Sequence, residues 1–339
     1  MSQIRYDLFH DRYVIIAPNR AQRPGFVQPY TLQTAPKCPF CEGNEALTPP
    51  EIYALRAHGG ANEKGWRTRV VPNLYKALQI EAGLARHKEG SFEWQEGFGA
   101  HEIVIDMPRH ELRMDQWSAE ELRDWLLTLQ ERVNDLHRDF RLKWLSVFKN
   151  HGLHAGATQP HPHTQILGLP TIPKAKLAQL HHHVAYWHDR GKVLYDVLRD
   201  EALQQRERVI VENDAFVAIA PYASAFAFEV WVAVKSAQRD FREMDESELS
   251  MLSALLQKLF ARMYRVLGAF DFNLSLELAP MQKDGAVESI WHAVGDVSRF
   301  GMRIVPRVTG IGGFELSTGM HINPIAPEEA AKRFRSAEV

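Results

Sequence analysis

The sequence predicts an α+β protein made of two similar halves, each an antiparallel sheet with packed helices. Three observations predict it. Residues 100–122, AHEIVIDMPRHELRMDQWSAEEL, lie without a gap on residues 227–249, AFEVWVAVKSAQRDFREMDESEL, at a constant offset of 127. In each copy an apolar strand-like run leads to a cap pair, Ser118/Glu121 or Asp245/Glu248, and then an amphipathic helix pattern. Upstream, RVVPNLYKAL (69–78) resembles RVIVENDAFVAI (208–219) with a small insertion, so the repeat covers most of each half.

The elements follow in order. Residues 12–17 (RYVIIA), 101–105 (HEIVI), 145–149 (LSVFK) and 163–169 read as strands. Residues 118–138 carry apolar side chains at 122, 125, 126, 129, 133 and 136, one stripe of a helix. The stretch after Asp245 has the same stripe. Between the copies, 175–205 reads as a helical, polar connector, and the expected halves are 1–188 and 189–339. Its run His181-His182-His183 is expected to be a solvated helix face.

Composition narrows the function. Of 339 residues, 45% are hydrophobic and 24% charged, and the formal net charge is −2. Charges of both signs are interspersed, which argues against nucleic acid and anionic membranes as partners. The start lacks the basic and apolar regions of a signal peptide, and no apolar run is long enough to cross a bilayer. A soluble, cytoplasmic protein is expected.

Only two cysteines occur, Cys38 and Cys41, too few for a disulfide framework. A redox C-x-x-C usually opens a helix after a strand. Here Pro- and Gly-bounded turns flank the pair, so it reads as half of a metal site. Zinc asks for four thiolate or imidazole ligands. His101, at the head of a strand, and His161 are expected to complete the set, with His110 and His154 as competitors.

His161, His163 and Gln165 alternate in QPHPHTQ, so an extended backbone points them to one face. With His161 on the metal, His163 is a neutral imidazole able to attack phosphorus at pH 7. Gln165 can give an amide N–H to a phosphoryl oxygen as charge builds up. The loop before them, 150–158, is rich in small residues that let backbone N–H groups approach an anion.

At these residues the chain resembles the galactose-1-phosphate uridylyltransferase family of the histidine-triad superfamily. RYDLFHDRYVIIAPNRAQRP (5–24), CPFCEGN (38–44), RVVPNLYKAL (69–78), NHGLHAGATQPHPHTQ (150–165) and GFELSTGMHINPIAPEEAA (313–331) carry the resemblance. The last is closest to a phosphorylase-like branch that uses ADP-glucose. The resemblance implies histidine-triad-like halves and a double displacement. His163 would take a nucleotidyl group from a nucleoside diphosphate sugar and pass it to a hexose 1-phosphate or to phosphate. It further implies one structural zinc on Cys38, Cys41, His101 and His161, and Gln165 beside the transferred group. Asn73 and Asn150 would contact the nucleotide, while Gly156, Ala157 and Thr158 are expected to bind substrate as part of the small-residue loop. Arg20 or Arg23 would reach a phosphate or a partner subunit, Ser317, Thr318 and Gly319 the hexose phosphate, and the molecule would be a homodimer.

The second half departs from the family. Where a second metal would be held, this chain has Val193-Leu194-Tyr195-Asp196, Val234-Lys235-Ser236-Ala237 and Arg299-Phe300-Gly301. All expected ligands are missing together, so one metal per chain is expected, with packing by Phe228, Trp231 and Trp291 in place of the second. Residues 280–307 depart most and are expected to shape the sugar pocket. A non-catalytic, zinc-stabilised nucleotide-binding protein is the rival from another class, and the intact His163/Gln165 pair argues against it.

Overall fold

The computed structural model describes residues 1–22, 29–31, 37–110, 113–237, 240–282 and 285–338. Its strands are β1 (Gln3–Asp7), β2 (Arg12–Ile16), β3 (Tyr53–Arg56), β4 (Trp66–Pro72), β5 (Arg86–Glu89), β6 (Phe92–Gln95), β7 (Ala100–Ile105), β8 (Trp144–His151), β9 (His163–Leu169), β10 (Val209–Glu212), β11 (Phe216–Ile219), β12 (Val230–Val234), β13 (Phe272–Glu277), β14 (Gly301–Pro306) and β15 (His321–Asn323). The helices are α1 (Ala119–His137), α2 (Lys174–Arg190), α3 (Leu194–Gln205), α4 (Glu246–Leu267), α5 (Trp291–Val297), α6 (Gly313–Thr318) and α7 (Pro327–Arg335). None is long and apolar enough to cross a membrane among the described residues.

One sheet of ten strands, in the order β10-β11-β12-β14-β13-β8-β9-β7-β4-β3, runs through both copies of the repeat. The copies join where β8 meets β13 antiparallel, with Asn150 opposite Asn273. On one face lie α1 and α4, packed against each other. Their apolar stripes, Leu122, Trp125, Leu126, Leu129 and Leu249, Leu252, Leu256, Phe260, share one core with Val104, Ile166, Val230 and Ile304. Both helices start as their sequences dictate. Ser118 Oγ accepts from Glu121 N while Ser118 N donates to Glu121, and Asp245 and Glu248 repeat the exchange.

The repeat offset has one structural slip. It lays Val104, on the α1 side of the sheet, on Trp231, which stands opposite Arg303 on the other face while its neighbours Val230 and Val232 stand opposite the core residues Ile304 and Met302. One residue of shift along a strand exchanges its faces. The caps therefore match at the offset and the strands stand one residue out of step.

The connector forms α2 and α3, and its histidines correct the expectation. Only His181 is exposed. His182 and His183 hydrogen-bond the Leu8 and Phe9 carbonyls, and His183 is buried, so they tie α2 to the β1–β2 hairpin. The three departing stretches of the second half do meet, around ion pairs rather than aromatic packing. Arg299 holds Asp196 at 2.7 Å, Arg199 adds a 2.8 Å contact, and Tyr195 bridges from Phe300 O to Val234 N. Phe228 packs on Phe334 and Trp231 on Phe9, while Trp291 joins a small core of α5 against α2. Residues 287–297 thus serve that core.

Candidate active site and metal centre

The central strand of the first copy is β9, flanked antiparallel by β7 and β8. His163 lies opposite Ile105, and Gln165 opposite Ile103 and Phe148. Residues opposite each other share a face, so His163 and Gln165 look away from the α1 side, where Thr164 accepts from Trp125 Nε1.

His163 is buried, with Nδ1 2.9 Å from the His161 carbonyl oxygen. A carbonyl only accepts, so Nδ1 carries the proton and Nε2 keeps its lone pair. Burial pushes the pKa of this imidazole down, the His161 carbonyl opposing and the Lys149 charge reinforcing the shift. The neutral, nucleophilic form is the one favoured. Phe40 closes the ring's other side at 5.6 Å between ring centres.

Cys38, Cys41, His110 and His161 bring two sulfurs and two nitrogens within 4.8 Å of one another. The His161 Nδ1 atom is 3.6 Å from both Cys38 Sγ and Cys41 Sγ and 3.3 Å from His110 Nδ1. Cys41 Sγ lies 3.3 Å from His110 Nδ1. A tetrahedral ion with bonds of about 2.3 Å to S and 2.0–2.1 Å to N has S···N edges of about 3.6 Å and N···N edges of about 3.3 Å. The tautomer fits as well. His161 Nε2 donates to Met107 O at 2.8 Å, which turns the Nδ1 lone pair into the cluster. Burial also pushes His161 down to about 4, so it stays neutral. The cluster can hold a metal ion.

His101 is not a member of this cluster. In the β7–β9 register it stands opposite Leu167, while Ile105 is opposite His163. Six residues separate Leu167 from His161, or about 20 Å of strand. The same register shows how His110 could have been found. The start of β9 lies beside the end of β7, so a histidine that meets His161 must come from the residues just after Ile105. His110 is the histidine there.

His101 has a different part. Ala77 N donates to its Nδ1 at 3.0 Å, so Nε2 carries the proton and donates to Gln165 Oε1 at 3.1 Å. Gln165 is thereby fixed by its oxygen, leaving its –NH2 as the donor end. Asn73 Oδ1 accepts from Tyr75 N. Sequence reasoning missed this orienting role.

The remaining expected residues fall in three places. Asn150 is on the same face as Gln165 and accepts from Asn273 at 2.9 Å. In the loop that follows, Gly156 has φ +86°, as only glycine readily allows. The N–H groups of His154, Ala155, Gly156 and Ala157 bond within the protein, to Asp271, Gly152, Leu153 and Gly152. Internal bonds therefore hold most of the loop that was expected to offer N–H groups to an anion; Thr158 is exposed beside it. His154 pairs with the buried Asp271 at 2.8 Å, away from the metal cluster. Arg20 is exposed on a turn after β2, and Arg23 lies outside the described residues. Ser317 and Thr318 bond back to Phe314 O, and Gly319 ends α6, which packs beside β15 rather than on β9.

Comparison with known proteins agrees with this architecture. The family "Galactose-1-phosphate uridyl transferase, N-terminal domain" matches residues 1–173, and the "C-terminal domain" of the same family matches 179–338. The ADP-glucose phosphorylase of Arabidopsis thaliana is 29% identical, covering 99% of this chain and 93% of its own length. The galactose-1-phosphate uridylyltransferase of Schizosaccharomyces pombe is 26% identical, covering 86% and 82%. The crystal structure of an ADP-glucose phosphorylase from Arabidopsis thaliana with bound ADP-glucose superposes with a TM-score of 0.83 at 28% identity, covering 100% of this chain and 99% of that one. The chain belongs to the galactose-1-phosphate uridyl transferase family.

Proposed function

We propose that this protein is a nucleotidyltransferase of the UDP-glucose–hexose-1-phosphate uridylyltransferase type, acting through a covalent nucleotidyl-histidine. One observation carries the reading: His163 has its Nδ1 proton engaged by the His161 carbonyl, which leaves the Nε2 lone pair for phosphorus. Nε2 attacks the α-phosphorus of a nucleoside diphosphate sugar, the bond to the bridging oxygen breaks, and hexose 1-phosphate leaves. An oxygen of a second hexose 1-phosphate then attacks the same phosphorus and releases Nε2. Gln165, held by His101, gives its –NH2 to a non-bridging oxygen in both steps. Asn73, Asn150 and Thr158 are proposed to line the nucleotide. Ser317, Thr318 and Gly319 stand at β15, so their part in sugar binding, and that of Arg20, is proposed for the site of a second copy in a cytoplasmic homodimer.

Cys38, Cys41, His110 and His161 would hold one zinc ion, a metal that a tetrahedral S2N2 donor set suits. With all four positions taken by side chains, such an ion supplies rigidity to the strand that presents His163.

A second reading has its own support. The likeness to ADP-glucose phosphorylase, over nearly the whole of both chains, favours an adenine donor and inorganic phosphate as acceptor. One experiment tests both. Intact mass is measured after incubation with UDP-glucose, UDP-galactose or ADP-glucose, without acceptor. A gain of one UMP or one AMP, absent from His163→Ala, is expected and names the base; chase with galactose 1-phosphate or phosphate names the acceptor. No adduct from any donor in zinc-loaded protein would sink the proposal.

A further inference from the structure

We infer that Lys149 and Asp106, a buried ion pair behind the strand, are positioning residues for His163; this rests on the nucleophile proposed above. Neither side chain is on the substrate face. Lys149, on β8 opposite Leu274, has a side chain 1% exposed, and Asp106, just after β7, one 0% exposed. Their 2.5 Å contact lies on the core side of the sheet, with the ammonium 5.3 Å from the Trp117 ring centre.

What the pair does there is visible in the backbone it holds. The Lys149 ammonium also donates to the carbonyl oxygen of His163 at 3.2 Å. Asp106 N donates to the carbonyl oxygen of Pro162 at 3.1 Å. His161 Nε2 donates to Met107 O, and His161 O receives the His163 Nδ1 proton. Each residue of His161-Pro162-His163 is thus fastened through its own carbonyl. The last fastening is the Lys149 ammonium, and Asp106 aims it.

Stability alone does not explain this arrangement. A buried pair costs desolvation, and apolar residues of similar volume are often as stable or more so. An ammonium, however, offers three donors, and here one carboxylate and one carbonyl use two of them. A displacement of about 1 Å at a nucleophile can cost about a hundredfold in rate. The pair holds the carbonyl of His163 itself, the group bonded to the Cα that carries the imidazole.

The test is the single-turnover rate of adduct formation, measured by quenched intact mass on the zinc-loaded, full-length protein with the donor that labels it. In Lys149→Met/Asp106→Leu, which removes the charges and keeps the volume, we expect that rate to fall by about tenfold to a hundredfold. Donor KM should stay within about twofold, and zinc content and Tm near wild type, because the substrate face is untouched. Lys149→Arg, which keeps a donor, should recover most of the rate. Should the apolar pair not fold, Lys149→Gln/Asp106→Asn carries the same prediction, since the Gln amide stops short of the carbonyl. Wild-type rate in a folded double variant, or Lys149→Arg as slow as the double, would overturn the inference and leave the proposed function standing. No adduct in the wild-type protein would remove both.

Discussion

The two copies of the repeat pin the start of the same strand by different chemistry. In the first, β9 begins at His163, and His161, two residues ahead, turns into the Cys38–Cys41–His110 cluster. In the second, β14 begins at Gly301, and Arg299, two residues ahead, is held by Asp196. The carbonyl between is captured in both: Pro162 O by Asp106 N at 3.1 Å, and Phe300 O by the Tyr195 hydroxyl at 2.7 Å. Beyond that point the strands diverge. The face of β9 that carries His163 and Gln165 bears Arg303 on β14, locked to the buried Glu229 at 2.6 Å. The frame needs an anchored strand start and accepts either a set of soft donors or an ion pair. Of the two strand starts, the first is the one that sets beside its anchor an imidazole, His163, with a spare lone pair, which is the feature the proposed nucleotidyl transfer uses.

The comparison can be broken most severely at the cluster. His110→Ala should take zinc content from one per chain toward zero and lower adduct formation by more than about a hundredfold, because a lost ligand unfastens the strand start. Metal analysis alongside intact mass checks it. Zinc retained at one per chain would mean that another residue completes the site. Next comes the matching anchor in the second copy. Arg299→Met removes one of two partners of the half-buried Asp196, which keeps Arg199 at 2.8 Å, so unfolding free energy should fall by about 1–2 kcal/mol while zinc stays bound. Denaturant titration decides; a loss of zinc instead would show that the two anchors are not independent.

The third prediction separates orienting from ligating. His101→Phe keeps a flat ring at the head of β7 and removes both ring nitrogens, and with them the bond to Gln165 Oε1. Zinc content should not change, and the rate of adduct formation should fall by about tenfold or more, the size of losing an oriented donor. Loss of zinc in this variant would restore His101 to the metal site.

How far this was legible in the sequence can be read from these residues. Cys38-Cys41, His161 and the alternation to Gln165 were legible because local spacing alone sets which side chains share a turn or a strand face. Ser118/Glu121 and Asp245/Glu248 were legible for the same reason: a cap is made within four residues. His110 was passed over for His101 because a ligand in a loop is placed by strand register and by how the loop folds back, and neither leaves a periodic mark. The one-residue slip between the copies hid for a similar reason, since a gapless offset fitted to caps says nothing of strand faces. The Lys149–Asp106 pair was not anticipated at all. Charged residues in an apolar strand give no sign of the carbonyl they will meet.

The smallest expected effect concerns the anchor that ties α2 to the hairpin. His183 is buried against Phe9, donates Nε2–H to the Phe9 carbonyl, and has His182, His10 and Glu277 around it. Burial pushes its pKa down from 6.5 to about 4, with the Phe9 carbonyl and Glu277 opposing the shift and His182 and His10 adding to it. The unfolded chain therefore takes up a proton near pH 6.5 that the folded chain refuses until about pH 4. The stability this contributes is fully present above pH 6.5 and is lost as pH falls toward 4, on the order of 1 kcal/mol by pH 5 after relaxation of the surroundings. His183→Gln keeps a donor for the Phe9 carbonyl and does not titrate, so its unfolding free energy should fall less between pH 7 and pH 5 than that of the wild type. Because zinc release from the cluster is also promoted by acid, both proteins are measured with zinc in excess, and the difference between them isolates His183. Equal slopes would mean that the α2 anchor opens before it protonates, which would make the hairpin, rather than either strand start, the first part of the molecule to come loose.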